Sequence, residues 1–119
     1  MRFSPRAFSL IELMVGIVIL LIVISGCLMT YIHCIALNDS SQNLFVAIND
    51  AQYVLEQMKS LAFGDISTYV APVFSNLPSE TITLSRSIGT SMATVTVTVS
   101  WQERQRSRTF SITTYLAKL

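Results

Sequence analysis

Near its N-terminus the chain reads Arg6-Ala7-Phe8-Ser9-Leu10-Ile11-Glu12-Leu13-Met14-Val15, followed by Gly16-Ile17-Val18-Ile19-Leu20-Leu21-Ile22-Val23-Ile24. Glu12 is the only charged residue between Arg6 and Asp39. A charged side chain deep in a membrane costs roughly 2.5–3.5 kcal/mol on insertion scales, so Glu12 is a candidate functional group whose partner must be found.

A candidate partner for Glu12 lies at Phe8, one helical turn away and about 6 Å along the axis. If the chain were cut before Phe8, the new amine, with a reference pKa near 8, would be a cation at the depth of Glu12. In a stack of staggered helices, each Glu12 could then meet a neighbour's amine.

A long uncharged segment follows Glu12. Residues 13–37 contain no Asp, Glu, Lys or Arg, and these 25 residues are enough to cross a hydrocarbon core of about 30 Å. Arg2 and Arg6 lie on the N-terminal side of the segment, whereas the next basic residue on the other side is Lys59. Because basic residues favour the cytoplasmic side, the sequence predicts a single-pass chain with a cytoplasmic N-terminus and the remainder outside.

The second part of the chain alternates between helical and extended patterns. Apolar residues recur at helical spacing, which predicts an amphipathic helix that ends near Ala62 and is capped by Gly64. The polar residues 38–41 could loosen the helix or begin a new one. The apolar stripe consists of Leu44, Ala47, Ile48, Ala51, Leu55, Met58 and Leu61. The polar side consists of Asn49, Asp50, Gln52, Glu56 and Lys59.

Three extended segments follow a loop at residues 65–79. One begins at Thr81, a second alternates strictly between apolar and hydroxyl side chains over 93–101, and a third covers 108–116 after a turn at 102–107. We therefore predict an α+β fold: a long N-terminal helix with a small antiparallel sheet packed on its C-terminal half. Trp101 and the neighbouring valines should pack on the helix stripe, with Trp101 against Leu44, Ile48 and Leu55.

The segment from Ala7 to Val15 resembles the class III signal of type IV pilins and type II secretion pseudopilins. That signal has a short basic leader, a Gly before the cut, Phe at the first mature position and Glu at the fifth. Ala7 stands where the family usually has Gly. The C-terminal hairpin, with its Val99-Ser100-Trp101 strand end and arginine-containing turn, is similar to minor pilins and pseudopilins of the PilV and GspI type.

The resemblance implies a structural subunit rather than an enzyme. A prepilin peptidase would cut between Ala7 and Phe8 and methylate the Phe8 amine, and Glu12 would form the assembly salt bridge. Residues 1–7 would be the leader, 8–37 the transmembrane and assembly helix, and 38–119 a periplasmic globular domain. The expected partners are other pilin or pseudopilin subunits, the peptidase and the inner-membrane assembly platform, first in the bacterial inner membrane and then in a pilus or pseudopilus.

Other functions have weaker sequence support. Ile24-Ser25-Gly26-Cys27 matches a lipoprotein signal, so the alternative is a membrane-anchored lipoprotein acylated at Cys27 with a small β-rich domain. Arg104, Arg106 and Arg108 could touch DNA phosphates, although a solvated turn is the commoner use of such a cluster. The single His33 and the two cysteines do not have metal-site spacing, and we expect no metal, cofactor or catalytic group.

Overall fold

The computed structural model describes residues 8–118, so the predicted leader 1–7, including Ala7, lies outside the described residues. The predicted α+β class is confirmed, with one long helix and one three-stranded antiparallel sheet. The elements are α1 (Leu10–Ser60), a short 3-10 helix (Phe63–Ser67), β1 (Thr81–Ile88), β2 (Met92–Glu103) and β3 (Arg106–Ala117).

Helix α1 runs without a break through residues 38–41, so the loosening considered there does not occur. By compactness the chain nevertheless divides into an N-terminal unit that ends at Asn38 and a C-terminal unit that begins at Asp39. The helix ends at Ser60, whose hydroxyl donates to the Gln57 carbonyl at 2.7 Å. Gly64 is not the predicted cap, because it lies inside the 3-10 helix and has a negative φ. A serine hydroxyl thus closes the last turn where a glycine was expected.

The sheet has the order β1-β2-β3, with β2 in the centre. The hairpin between β2 and β3 is tighter than predicted, because both strands continue into the region expected to be a turn. Only Arg104 and Gln105 lie between the strands, and both have positive φ, 47° and 65°. Two successive left-handed residues give a turn whose twist matches that of the flanking strands. Asn-Gly is the usual sequence for such a turn, and its absence here explains why the sequence suggested a longer loop.

The inner face of the sheet forms one hydrophobic cluster with α1. The predicted burial of Trp101 is confirmed, since its side chain is 3% exposed, and Val95, Val97 and Val99 are fully buried. The helix stripe differs in part from the prediction, because Leu44 is exposed and only Leu55 of the three expected partners belongs to the buried cluster. The other buried helix residues of the cluster are Ala47, Ala51, Val54 and Met58.

The outer face of the sheet carries hydroxyl side chains at every second residue along all three strands. Two pairs of hydroxyls bond across β2 and β3: Thr96 to Thr113 at 2.9 Å and Thr98 to Ser111 at 3.0 Å. The register groups the set into rows, which we call the hydroxyl face: Thr81, Ser100 and Thr109; Thr83, Thr98 and Ser111; Ser85, Thr96 and Thr113; and Ser87, Thr94 and Tyr115.

Candidate functional site

The N-terminus of α1 is closed by the side chain of Ser9. The backbone N–H of Glu12 donates to Ser9 Oγ at 3.3 Å, and the N–H of Leu13 donates to the Ser9 carbonyl at 3.2 Å. Ser followed three residues later by Glu is the spacing of a capping box, and a carboxylate in the first turn interacts favourably with the helix dipole. Glu12 therefore has a local role that the sequence analysis missed, although the Ser-x-x-Glu spacing was visible in the sequence.

The carboxylate of Glu12 has no cationic partner among residues 8–118, where the ion pairs are Arg104–Asp39 and Arg108–Glu103. Both Glu12 and Phe8 are exposed on the helix surface. They line a shallow apolar groove together with Gly16, and the space around Gly16 is open, since a Cβ there would meet nothing within 4 Å. The N-terminal turn thus combines an unpaired negative charge with an apolar surface.

Three polar side chains of the uncharged segment bond within the helix itself. Ser25 Oγ donates to the Leu21 carbonyl at 2.8 Å, and Thr30 Oγ1 donates to the Gly26 carbonyl at 3.0 Å. His33 Nδ1 lies 2.8 Å from the Met29 carbonyl, so this nitrogen is the donor. Hydrocarbon offers no water to satisfy polar groups, and these bonds give each of the three side chains a partner within the helix. Glu12 is therefore the charged group of this half of α1, and its partner must be found elsewhere.

Helix α1 is long and apolar enough to cross a membrane, and none of its most apolar window is buried within the protein. The large side chains from Leu10 to Ile24 are all exposed. Exposed apolar surface of this extent is stable only when lipid or other protein covers it. Cys27 and Cys34 are free and exposed in the same part of the helix. Within residues 8–118 there is no cluster of three or more His, Cys, Asp or Glu that could hold a metal ion.

Arg104, Arg106 and Arg108 come together at the β2–β3 hairpin. Two of them form ion pairs with carboxylates, and the pairing with Asp39 was not predicted from the sequence. Arg104 Nη2 lies 3.3 Å from Asp39 Oδ2, and Arg108 Nε lies 3.7 Å from Glu103 Oε2. Ser40 Oγ also donates to Glu103 Oε2 at 3.3 Å. These contacts join the hairpin to the helical residues at the start of the C-terminal unit.

A second polar cluster, absent from the sequence analysis, links α1 to the loop before β1. Asp50 was assigned to the solvent side of the helix, and this was wrong: it is only 8% exposed because the loop covers it. Asn76 Nδ2 donates to both Asp50 oxygens, at 3.1 and 3.0 Å. Glu80 Oε2 accepts the backbone N–H groups of Asn76 and Leu77 at 3.1 and 3.2 Å. Burial, together with the neighbouring Asp50 carboxylate, raises the pKa of Glu80 above its ordinary value, although the two N–H donors oppose the shift.

Comparisons with known proteins identify one part of the chain. Residues 2–28 match the family described as the prokaryotic N-terminal methylation motif. Comparison with curated proteins and comparison with solved structures gave no match. The matched residues include Phe8, the Ser9 cap, Glu12 and the first half of the uncharged segment. The chain therefore carries a type IV pilin-like prepilin signal, and this signal supports a pilin-like or pseudopilin-like substrate of a prepilin peptidase.

Proposed function

We propose that this protein is a minor structural subunit of a type IV pilus or a type II secretion pseudopilus. The observation that carries the proposal is the carboxylate of Glu12, unpaired within residues 8–118 and the one charge at the start of a membrane-length helix in which Ser25, Thr30 and His33 are internally bonded. The match over residues 2–28 supports the same conclusion. Such a helix is stable as an anchor but retains one group that a neighbouring subunit can satisfy.

The order of events follows from the signal. The peptidase cuts between Ala7 and Phe8, removes the leader 1–7 and methylates the new Phe8 amine. The protein then lies in the inner membrane through residues 8–37, with its N-terminus in the cytoplasm and residues 38–119 in the periplasm. The inner-membrane assembly platform draws it into a filament with other pilin or pseudopilin subunits. No catalytic role is assigned to the chain.

In the filament, Glu12 pairs with the Phe8 amine of a neighbouring subunit. The cap at Ser9 binds the backbone N–H of Glu12 and leaves the carboxylate oxygens available. The apolar groove beside Glu12 excludes water when a second helix covers it, and Coulomb attraction strengthens as the local dielectric constant falls. The ion pair therefore sets the depth of one subunit relative to the next.

Intact-mass measurement of the membrane-extracted protein tests this proposal directly. We expect loss of residues 1–7 and the addition of one methyl group at Phe8. The lipoprotein alternative predicts a different product, in which Cys27 is the first residue and carries a diacylglyceryl group. That product would overturn the proposal, as would a mature protein that still contains Ala7.

A further inference from the structure

The hairpin between β2 and β3 brings three arginines to the point where the C-terminal unit begins. Arg104 lies in the turn, and its guanidinium pairs with Asp39. Asp39 is the first residue of that unit and the second residue after the uncharged segment 13–37. Within α1 this separation is about 3 Å along the helix axis. If residues 13–37 occupy the bilayer, the hairpin bonded to Asp39 therefore lies at the level of the lipid headgroups.

The charges at this hairpin are arranged with the cations toward solvent. The side chains of Arg104 and Arg108 are 58% and 55% exposed, and Arg106 is also exposed. The Glu103 side chain is only 10% exposed, held by Ser40 and Arg108, whereas that of Asp39 is about half exposed at 52%. Arg106 has no ion pair within residues 8–118, so three guanidiniums face two carboxylates and one positive charge is uncompensated.

We propose that Arg104, Arg106 and Arg108 bind the phosphate groups of anionic phospholipids before the subunit is assembled. The proposal rests on the proposed function, because it requires residues 13–37 to lie in a membrane. A planar guanidinium offers paired N–H donors that match phosphate oxygens. A cation close to an anionic membrane gains roughly fivefold in affinity, and the effect decays over about 8 Å at physiological salt. Arg106 should contribute most because no carboxylate competes for it.

The same arginines could contact nucleic-acid phosphates, and two observations favour lipid. The cluster adjoins the point where the chain enters its apolar segment, where headgroups are already at high local concentration. Its uncompensated charge is a single cation, whereas tight DNA binding usually neutralises several phosphates at once. Weak, local recognition of headgroups therefore suits this cluster better than capture of a long polyanion.

Lipid retention by the full chain provides the test. The protein is extracted from vesicles that contain equal amounts of phosphatidylglycerol and phosphatidylcholine, and the lipids that remain bound are counted by native mass spectrometry. We expect the unmodified chain to retain phosphatidylglycerol preferentially. Arg106→Gln should lower that preference about fivefold, whereas Arg106→Lys should keep most of it. Lys59→Gln, at the other end of the same helical stretch, removes an equal charge and should have no effect.

Three outcomes would overturn the lipid site or the membrane anchor, and they distinguish failure of the one from failure of the other. Equal retention of both lipids, or a preference that survives Arg106→Gln, would overturn the lipid site while leaving the pilin-like function intact. A chain that is stripped from the vesicles by alkaline carbonate would contradict the membrane anchor itself. A DNA mobility shift that depends on Arg106, in the absence of any lipid preference, would assign the arginines to nucleic acid and overturn the lipid site.

Discussion

The two halves of α1 treat their side chains in opposite ways. Up to Asn38 the helix exposes its apolar side chains and bonds Ser25, Thr30 and His33 to its own carbonyls. From Asp39 onward the helix buries an apolar stripe under a sheet of the same chain. Three of its polar residues, Asp39, Ser40 and Asp50, bond to the hairpin or to the loop before β1. The first half therefore satisfies Ser25, Thr30 and His33 itself but leaves Glu12 without a cationic partner within residues 8–118 and its apolar side chains uncovered. The second half provides its own cover, so the difference locates the surface that other molecules must occupy.

The largest expected effect comes from Glu12, the one charged residue of the first half, which has no cationic partner within residues 8–118. Glu12→Gln removes the charge but still suits the capping box. Loss of one member of a dry ion pair leaves the other buried and unpaired, at about 3–5 kcal/mol, or roughly a hundredfold or more per contact. We expect the variant to be inserted and cut normally yet missing from purified filaments, with crosslinks to neighbouring subunits lost.

Ser9→Ala is the matched control for that experiment. It removes the hydroxyl that accepts the Glu12 N–H but keeps the carboxylate, and it should cost about 1 kcal/mol of local helix stability. The Ser9 variant should still assemble. If Glu12→Gln assembles like the unmodified chain, or if both variants fail equally, the carboxylate is not the docking group.

Replacing Trp101 tests the packing of the sheet on the second half of α1. Trp101→Ala should lower the free energy of unfolding by about 3–5 kcal/mol, because it leaves a large cavity between the sheet and α1. The indole Nε1 is buried without a hydrogen-bond partner within residues 8–118, so Trp101→Phe loses no bond and should cost much less. Thermal unfolding of the detergent-solubilised chain, followed by circular dichroism of the sheet, measures both. Similar losses for Ala and Phe would contradict the packing described here.

Glu80 should make the stability of the C-terminal unit depend on pH. Its pKa is raised in the folded state, so the folded chain binds this proton more tightly than the unfolded chain. The stabilisation is complete below the ordinary carboxyl pKa of about 4.3 and is lost as pH rises through the raised pKa of Glu80. Glu80→Gln keeps an oxygen for the two N–H donors and offers a permanent donor toward Asp50.

We therefore expect the melting temperature of Glu80→Gln to exceed that of the unmodified chain by a margin that grows from acidic to neutral pH. The effect should be smaller than that of Trp101→Ala. Glu56→Gln, which changes an exposed carboxylate of α1, provides the charge-matched control. A margin that is constant with pH, or equal for the two variants, would show that Glu80 does not titrate in this way.

The smallest effect is expected at Gln105, which has φ 65° in the hairpin turn. A side chain is disfavoured in this left-handed region, whereas glycine adopts it freely. Gln105→Gly should therefore stabilise the unit by up to about 1 kcal/mol, and Gln105→Ala, which keeps the Cβ, should not. Chemical unfolding curves distinguish the two. A glycine variant less stable than the alanine variant would contradict the turn geometry.

The sequence predicted the elements whose signal is periodic. Strict alternation over 93–101 identified β2 and the burial of Trp101, and the apolar run identified the membrane-length helix. The predictions were wrong at the end of α1 and at the β2–β3 turn, where residues other than glycine occupy positions at which glycine is common. A serine hydroxyl ends α1 in place of glycine, and two non-glycine residues form the left-handed turn.

The candidate site was predictable in part for the same reason. The position of Glu12 relative to Phe8 could be read from spacing along one helix. The contacts of Asp39 with Arg104, and of Asp50 with Asn76, join residues far apart in sequence, and no periodic pattern records them. Burial of Asp50 could not be foreseen, because the loop that covers it has no regular pattern of its own.

The hydroxyl face determines how the adhesion of this surface depends on salt concentration. Apart from the phenol of Tyr115, its rows contain only serine and threonine, and none of these side chains carries a charge. A surface without fixed charge attracts no counterion cloud, so added salt has nothing there to screen. Water is held by hydroxyl donors and acceptors instead, some of them already paired as in Thr96 and Thr113. The adhesion of this face to other surfaces should therefore be nearly the same in fresh and in saline water.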